Sequence, residues 1–270
     1  MQNMLPVNGK VKTASAEADY IAFGSGDRDM IILPGAGDGF KTVKGSARPA
    51  SVMYRSFGNV FRVWSFSRRD DIPEGFGTDG MADDVADAMD VLGIEKACIY
   101  GVSQGGMIAQ QLAIRHPEKV ERMVLAVTSP GPSPVMRQSL KEWLAMADRE
   151  DYKGIMEDTA ERSYTGPARE RYKKIYALAA GLSKPKGYER FKAMCLSCIK
   201  HDVRDKLDRI SCPVLVIGAS EDAVVGPEGS IELAEGIKES TLYMYDGLSH
   251  GAYDQARDFN KRVLEFLKGE

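Results

Sequence analysis

The residues with the most chemical content are Gly101-Val102-Ser103-Gln104-Gly105-Gly106. They follow an apolar run, Ala97-Cys98-Ile99-Tyr100, and precede a helical pattern through Met107, Ile108, Leu112 and Ile114. A serine at a sharp strand-to-helix turn is held in a strained backbone conformation, and flanking glycines let neighbouring chain pass without a β-carbon clash. Its hydroxyl then sits at a helix N-terminus, where free N–H groups and the helix dipole favour the negative charge formed when a carbonyl is attacked. A hydroxyl is a poor nucleophile at neutral pH, so this chemistry needs a base and a carboxylate later in the chain. His250, in Asp246-Gly247-Leu248-Ser249-His250-Gly251, and Asp222, in Gly218-Ala219-Ser220-Glu221-Asp222, each follow a predicted strand. Open α/β folds place their sites at that carboxyl edge.

The alternatives are few. Of the three histidines, His116 precedes Pro117 and reads as a helix terminator, and His201 falls in a helical stretch away from any strand end. Glu221 is the rival for the acid, and Asp222 is preferred as the later residue of its turn; solvated surface charge is the bland alternative for both. A tetrahedral intermediate also needs backbone donors. The N–H of Gln104 is one candidate, and the N–H of Ala36, in Leu33-Pro34-Gly35-Ala36-Gly37-Asp38-Gly39, is the other. Asp38 is a candidate contact for a cationic or hydroxylated substrate, against the reading of a solvated loop carboxylate. Cys195, Cys198 and His201 have a spacing that resembles part of a metal site. A helix would spread them around its axis, and no fourth ligand is in view, so they read as a packed helix face and no metal is assigned.

These residues must be carried by a mostly parallel sheet covered on both faces, because buried apolar runs alternate with stretches of helical period. The strands are expected at Met30 to Leu33, Phe61 to Phe66, Ala97 to Tyr100, Met123 to Val127, Val214 to Ile217 and Thr241 to Tyr245. Between the second and third, Met81, Val85, Ala88, Met89 and Leu92 share one helix face, with Gly93 placed to end the helix in a left-handed conformation. From about Pro130 to Asp205 the strand signal disappears. Ser133 before Pro134 is a good start for an all-helical insertion, continued over Tyr152 to Ala160, Ala168 to Ala180 and Tyr188 to Cys198. Breaks are expected at Gly166-Pro167 and at Ser183 to Gly187. A last helix is expected from Tyr253 to Leu267, presenting Phe259, Val263, Phe266 and Leu267 to the core. The domain reading is an α/β core, 1–129 and 206–270, with a helical segment, 130–205, inserted in it. Trp143, Tyr164, Tyr172, Tyr176 and Phe191 of that insertion are candidates to line a small pocket, Trp143 foremost as a substrate contact, with ordinary helix packing as the alternative.

Composition narrows the partners. With 43% hydrophobic and 28% charged residues over 270, the chain is globular and long enough to bury a large core. Its 36 basic and 39 acidic residues leave a charge of -3 with no long basic run, which points to small molecules and away from nucleic acid or an anionic membrane. No apolar stretch of secretory or membrane-spanning kind is evident, so a cytoplasmic protein is expected, with its four cysteines as reduced thiols. Oligomeric state is not legible.

Taken over the whole chain from Tyr20 to the last helix, the sequence resembles the α/β-hydrolase superfamily, most closely its esterase and 3-oxoadipate enol-lactonase-like branch. The resemblance rests on Gly101 to Gly106, the Ala219 to Asp222 turn, His250-Gly251 and His116-Pro117-Glu118-Lys119-Val120, in the chain order Ser, Asp, His. It implies Ser103 as nucleophile, Asp222 as acid, His250 as base, no cofactor, and a lid formed by the helical segment. Where many members have His-Gly before the oxyanion residue, this chain has Pro34-Gly35, which removes a side chain that often braces the loop. The expected activity is hydrolysis of a small carboxylic ester or lactone. Peptidases and carbon-carbon bond hydrolases share the pattern, and a ligand-binding protein that keeps the triad with slow turnover is the reading from another class. Carboxylate-nucleophile chemistry is disfavoured by Ser103.

Overall fold

In the computed structural model, which describes residues 4–182 and 184–269, the sheet has eight strands: β1 (Met4–Lys12), β2 (Glu17–Gly24), β3 (Arg28–Leu33), β4 (Phe61–Phe66), β5 (Ala97–Val102), β6 (Val120–Ala126), β7 (Val214–Ala219) and β8 (Ser240–Tyr245). Their order is β1-β2-β4-β3-β5-β6-β7-β8. The first two pairings, β1 with β2 and β2 with β4, are antiparallel, and every later one is parallel. The helices in chain order are α1 (Ala47–Met53), α2 (Arg55–Gly58), α3 (Thr78–Val91), α4 (Gln104–Arg115), α5 (Pro134–Asp148), α6 (Tyr152–Ser163), α7 (Gly166–Leu182), α8 (Glu189–Lys200), α9 (Glu228–Gly236), α10 (Ala252–Gln255) and α11 (Phe259–Lys268). A 3-10 turn covers Ala36–Gly39.

Alternation along the strands builds two cores. Ile31, Leu33, Ile99 and Leu125 face α3, α4 and α9 with Met81, Met89, Ile108, Leu112 and Leu233. Met30, Ile32, Tyr100, Val124 and Ile217 face the other layer, with Phe57, Phe259, Val263 and Leu267. Both faces of the central strands β3, β5 and β7 are therefore buried, which is why they read as continuous apolar runs. A third apolar cluster joins Met136, Leu140, Trp143, Ile155, Phe191 and Cys195 of the inserted helices to Met107, Val224 and Val225. Gly93, at φ +69, ends the α3 turn, and the next N–H, of Ile94, bonds back to the Met89 carbonyl at 2.8 Å.

Three elements differ from expectation. β1 is an edge strand carrying Pro6, and of its side chains Val11 is buried while Leu5 and Val7 are exposed, so it leaves no apolar period to read. β6 stops at Ala126 because Val127 turns out of the strand at φ +43. The expected last helix is two, broken at Ala256 to Asp258, where the Asp258 carboxylate accepts from the Tyr245 hydroxyl at 2.9 Å and from Arg262 Nε at 2.7 Å. In α11, Phe266 is only partly buried, beneath the Arg122 guanidinium. Gly166, at φ +53, opens α7 with Pro167 in its first turn, and Ser183 of the expected break lies outside the described residues.

Candidate active site

Ser103 occupies the turn between β5 and α4 at φ +54, ψ -121, a region that costs a non-glycine residue of order 1–3 kcal/mol. The surroundings over-determine it. Its N–H donates to the Ala126 carbonyl at 2.9 Å, and its own carbonyl accepts from Gly106 N–H at 2.9 Å and Thr128 Oγ1 at 2.8 Å. Gly105 is required because a β-carbon there would lie 1.9 Å from the Leu33 carbonyl oxygen; at Gly101 it would meet the Gly105 oxygen at 2.5 Å. The end of β3 therefore runs in backbone contact with the start of α4.

The loops after β7 and β8 bring two more side chains to this point. His250 Nε2 lies 3.1 Å from Ser103 Oγ, and His250 Nδ1 lies 2.9 Å from Asp222 Oδ2 and 3.2 Å from Oδ1. Oδ1 also accepts the N–H groups of Val224 and Val225, each at 2.9 Å, which fixes the carboxylate plane. A carboxylate offers only acceptors, so Nδ1 carries the proton and Nε2 is left to accept from the serine hydroxyl. Both residues are buried, which removes water from competition for these bonds. The His250 loop is tied to the inserted helices through Gly251 N–H, 2.6 Å from the Ser163 carbonyl, and through the Ser249 hydroxyl, which donates to the Arg162 carbonyl.

Glu221 is exposed and contributes only its N–H, to the Leu248 carbonyl, so the structure does not bring its carboxylate to His250. His116 bonds Asp83 at 2.8 Å. His201 sits between Thr78 Oγ1, at 2.8 Å, and Gln110 Oε1, and burial pushes its pKa down to about 4. Cys195 and Cys198 are buried free thiols, and burial pushes Cys198 up to about 12. Among the described residues no group of three His, Cys, Asp or Glu is arranged to hold a metal ion.

Ala36 and Gln104 flank Ser103, and neither N–H donates to any of the described residues. Two donors beside a serine oxygen are what a developing oxyanion can use. Ala36 and Ser103 line a cavity of about 400 Å³, whose wall also includes Phe40, Trp143, Phe191, Tyr54, Tyr176 and Tyr253. Trp143 is among the lining residues, and its Nε1 donates to Asp158 at 2.7 Å. Asp38 is not. It is buried outside the lining, where Oδ2 accepts from the Arg68 N–H at 3.0 Å and from Arg190 Nη2 at 2.8 Å, while Oδ1 is buried without a partner among the described residues. Tyr164 and Tyr172 are likewise outside the lining: Tyr164 is fully buried, stacks on Tyr172 at 3.8 Å and donates to Asp254. The sequence signals missed Tyr54, Tyr253 and Lys41, the one lining residue besides His250 able to carry charge through a basic side chain. None stands in a motif; Tyr253, three residues after His250, was within reach of proximity alone.

The family model described as the alpha/beta hydrolase fold matches residues 33–256. A protein of Acinetobacter baylyi named 3-oxoadipate enol-lactonase 2 is 29% identical over 70% of this chain and 70% of its own. One of a Caulobacter species, named as a carbamate hydrolase, is 27% identical over 70% of this chain and 72% of its own. Among solved structures, the enol-lactonase of Burkholderia xenovorans LB400 superposes with a TM-score of 0.80 at 23% identity, covering 96% of this chain and all of that one (100%).

Proposed function

The chain belongs to the α/β-hydrolase fold family, and on that premise we propose that it is a serine hydrolase cleaving a small carboxylic ester or lactone through an acyl-enzyme on Ser103. The observation that supports this reading is the unbroken line from Ser103 Oγ to His250 Nε2, at 3.1 Å, and from His250 Nδ1 to Asp222 Oδ2, at 2.9 Å. In the first half-reaction Oγ bonds to the substrate carbonyl carbon while its proton passes to Nε2. The carbonyl oxygen takes the negative charge, held by the N–H groups of Ala36 and Gln104, and Asp222 orients and stabilises the imidazolium. The leaving oxygen departs with the proton from Nε2. Water repeats the sequence on the acyl-enzyme, giving the acid and restoring the Ser103 hydroxyl.

The helices of 130–205 act in this reading as a lid over the core of 1–129 and 206–270, because Trp143, Tyr176 and Phe191 come from them and close an apolar cavity around Ser103. The names of the relatives, an enol-lactonase and a carbamate hydrolase among them, support acyl transfer from a small molecule. The test is labelling by a fluorophosphonate probe, located by mass spectrometry, with hydrolysis of short p-nitrophenyl esters measured alongside. Labelling at Ser103, with both signals lost in Ser103→Ala, is the expected result; an unlabelled Ser103 or undiminished turnover in the variant sinks the reading.

A further inference from the structure

Arg68, two residues past the end of β4, is a buried cation in an unusual position. Its Nη2 donates to the carbonyl of Pro34 and, at 3.1 Å, to Oε1 of Gln104. Pro34 opens the loop that carries Ala36, and Gln104 is the residue after Ser103. Among the described residues no other side chain bonds to both segments. We infer that Arg68 is the positioning residue of the oxyanion hole, holding the Ala36 and Gln104 N–H groups in register by clamping the loop after β3 to the turn after β5.

The clamp is continued into the inserted helices. Gln104 Nε2 donates to the Met194 carbonyl at 3.0 Å and to Ser197 Oγ at 2.9 Å, both in α8. Arg190, also in α8, donates from Nη2 to the Arg68 carbonyl at 2.7 Å and to Asp38 Oδ2 at 2.8 Å, while that same Oδ2 accepts the Arg68 N–H at 3.0 Å. Asp38 thus ties the far end of the Ala36 loop to Arg68 and to α8 together.

The cost of this arrangement argues for a role beyond packing. Arg68 Nε and Nη1 are buried with no partner, and an unpaired buried N–H on a charged group is expensive. Asp38 pairs with the Arg190 guanidinium and takes the Arg68 backbone N–H, so among the described residues no carboxylate pairs with the Arg68 guanidinium itself, which lies against the Pro34 carbonyl and Gln104. A low-dielectric cation placed there favours an oxyanion and does nothing for a neutral ester, which assigns its benefit to the transition state.

The inference rests on the serine-hydrolase reading for its kinetic arm and on geometry alone for its structural arm. Arg68→Met removes both fork and charge; Arg68→Lys keeps the charge without the fork. For a folded Arg68→Met protein acting on p-nitrophenyl butyrate, kcat falls about 100-fold with KM within about threefold, the range seen when one oxyanion donor is lost. Affinity for an alkyl boronic acid, which forms a tetrahedral adduct on the serine, falls in step. Arg68→Lys loses about tenfold in both. A purely structural role predicts instead a lower Tm with kcat and boronate affinity within about threefold of wild type, and that result overturns the inference. If Arg68→Met does not fold, Arg68→Lys is judged by the same two readouts. A crystal structure of the folded variant completes the test: the loop of residues 34–38 shifts away from Gln104, and an unmoved hole overturns the inference. Should the wild-type protein neither take up the fluorophosphonate nor turn over esters, the hydrolase reading fails, and this crystal structure still decides on Arg68.

Discussion

At the scale of the residue, the serine-histidine-carboxylate line makes unequal demands on its members. Ser103→Ala deletes the proposed nucleophile on a turn whose backbone is set by Gly101 and Gly105, so ester hydrolysis should fall by more than about a thousandfold with the fold intact, and His250→Ala should match it. Circular dichroism and steady-state rates on the same preparations check this. Asp222→Asn keeps the shape but can present an N–H to His250 Nδ1, forcing the tautomer that cannot accept from Ser103. Its kcat/KM should collapse, whereas Glu221→Gln, altering an exposed side chain, should stay within about twofold. An Asp222→Asn enzyme within about tenfold of wild type, a loss of only ~1.4 kcal/mol, would remove Asp222 from the mechanism.

At the scale of the element, two features separate shape from chemistry. The cavity wall contributed by α5 and α8 consists of Trp143, whose Nε1 is spent on Asp158, and Phe191, which has no polar side-chain atom. Trp143→Ala and Phe191→Ala should therefore reorder the preference for p-nitrophenyl ester chain lengths while the rate of fluorophosphonate labelling changes little. An unchanged ranking in both variants would separate these helices from substrate selection. The contact between β3 and α4 is less forgiving. Gly105→Ala puts a methyl group 1.9 Å from a main-chain oxygen of a central strand that cannot swing aside. The expected cost is about 3 kcal/mol, at the upper end of overpacking, with activity lost as the Ala36 loop is pushed off Gln104. Denaturant midpoints against wild type measure it.

At the scale of the whole molecule, the buried histidine outside the Ser103 site sets part of the acid limit of stability. His201, at the end of α8, is held neutral by burial, with a pKa pushed down to about 4, against about 6.5 in an unfolded chain. Above pH ~6.5 it is neutral in both states and contributes no pH dependence. Between ~6.5 and about 4 only the unfolded chain takes the proton, so stability falls as pH falls, and below about 4 the loss is complete at about 3 kcal/mol. Asp84 works with the opposite sign, because burial raises it to about 6 and its protonation relieves the folded state over an overlapping window. The comparison of wild type with His201→Gln cancels Asp84. The variant should resist acid better, its stability advantage growing as pH drops from 6.5 to 4, and a pH-independent difference would contradict the assignment.

The sequence by itself determined the parallel strands, the strand-turn-helix around Ser103 and the candidacies of Asp222 and His250, since each rests on a local signal: an apolar run of strand length, a glycine pair, a polar residue just past a strand end. Burial on both faces of β3, β5 and β7 writes itself into consecutive residues, and the turn geometry at Ser103 into its immediate neighbours. Where polar partners are far apart in the chain, that reading stopped. Asp38 in its glycine-rich loop has the local look of a solvated carboxylate, and only the folding of β4 and α8 against the loop supplies Arg68 and Arg190 to bury it. That Asp222 and not Glu221 lies against the His250 ring is visible only in the folded turn after β7, where the Val224 and Val225 N–H groups hold the Asp222 carboxylate. β1 escaped notice because an exposed edge strand needs no apolar period, and Tyr54 and Tyr253 because a cavity wall is assembled from elements with no sequence relation to one another. Backbone conformation and burial are encoded over a few residues. Hydrogen-bond partners and cavity walls are decided by which distant segments the packed core brings within 3 Å or so of each other, and that only the tertiary structure determines.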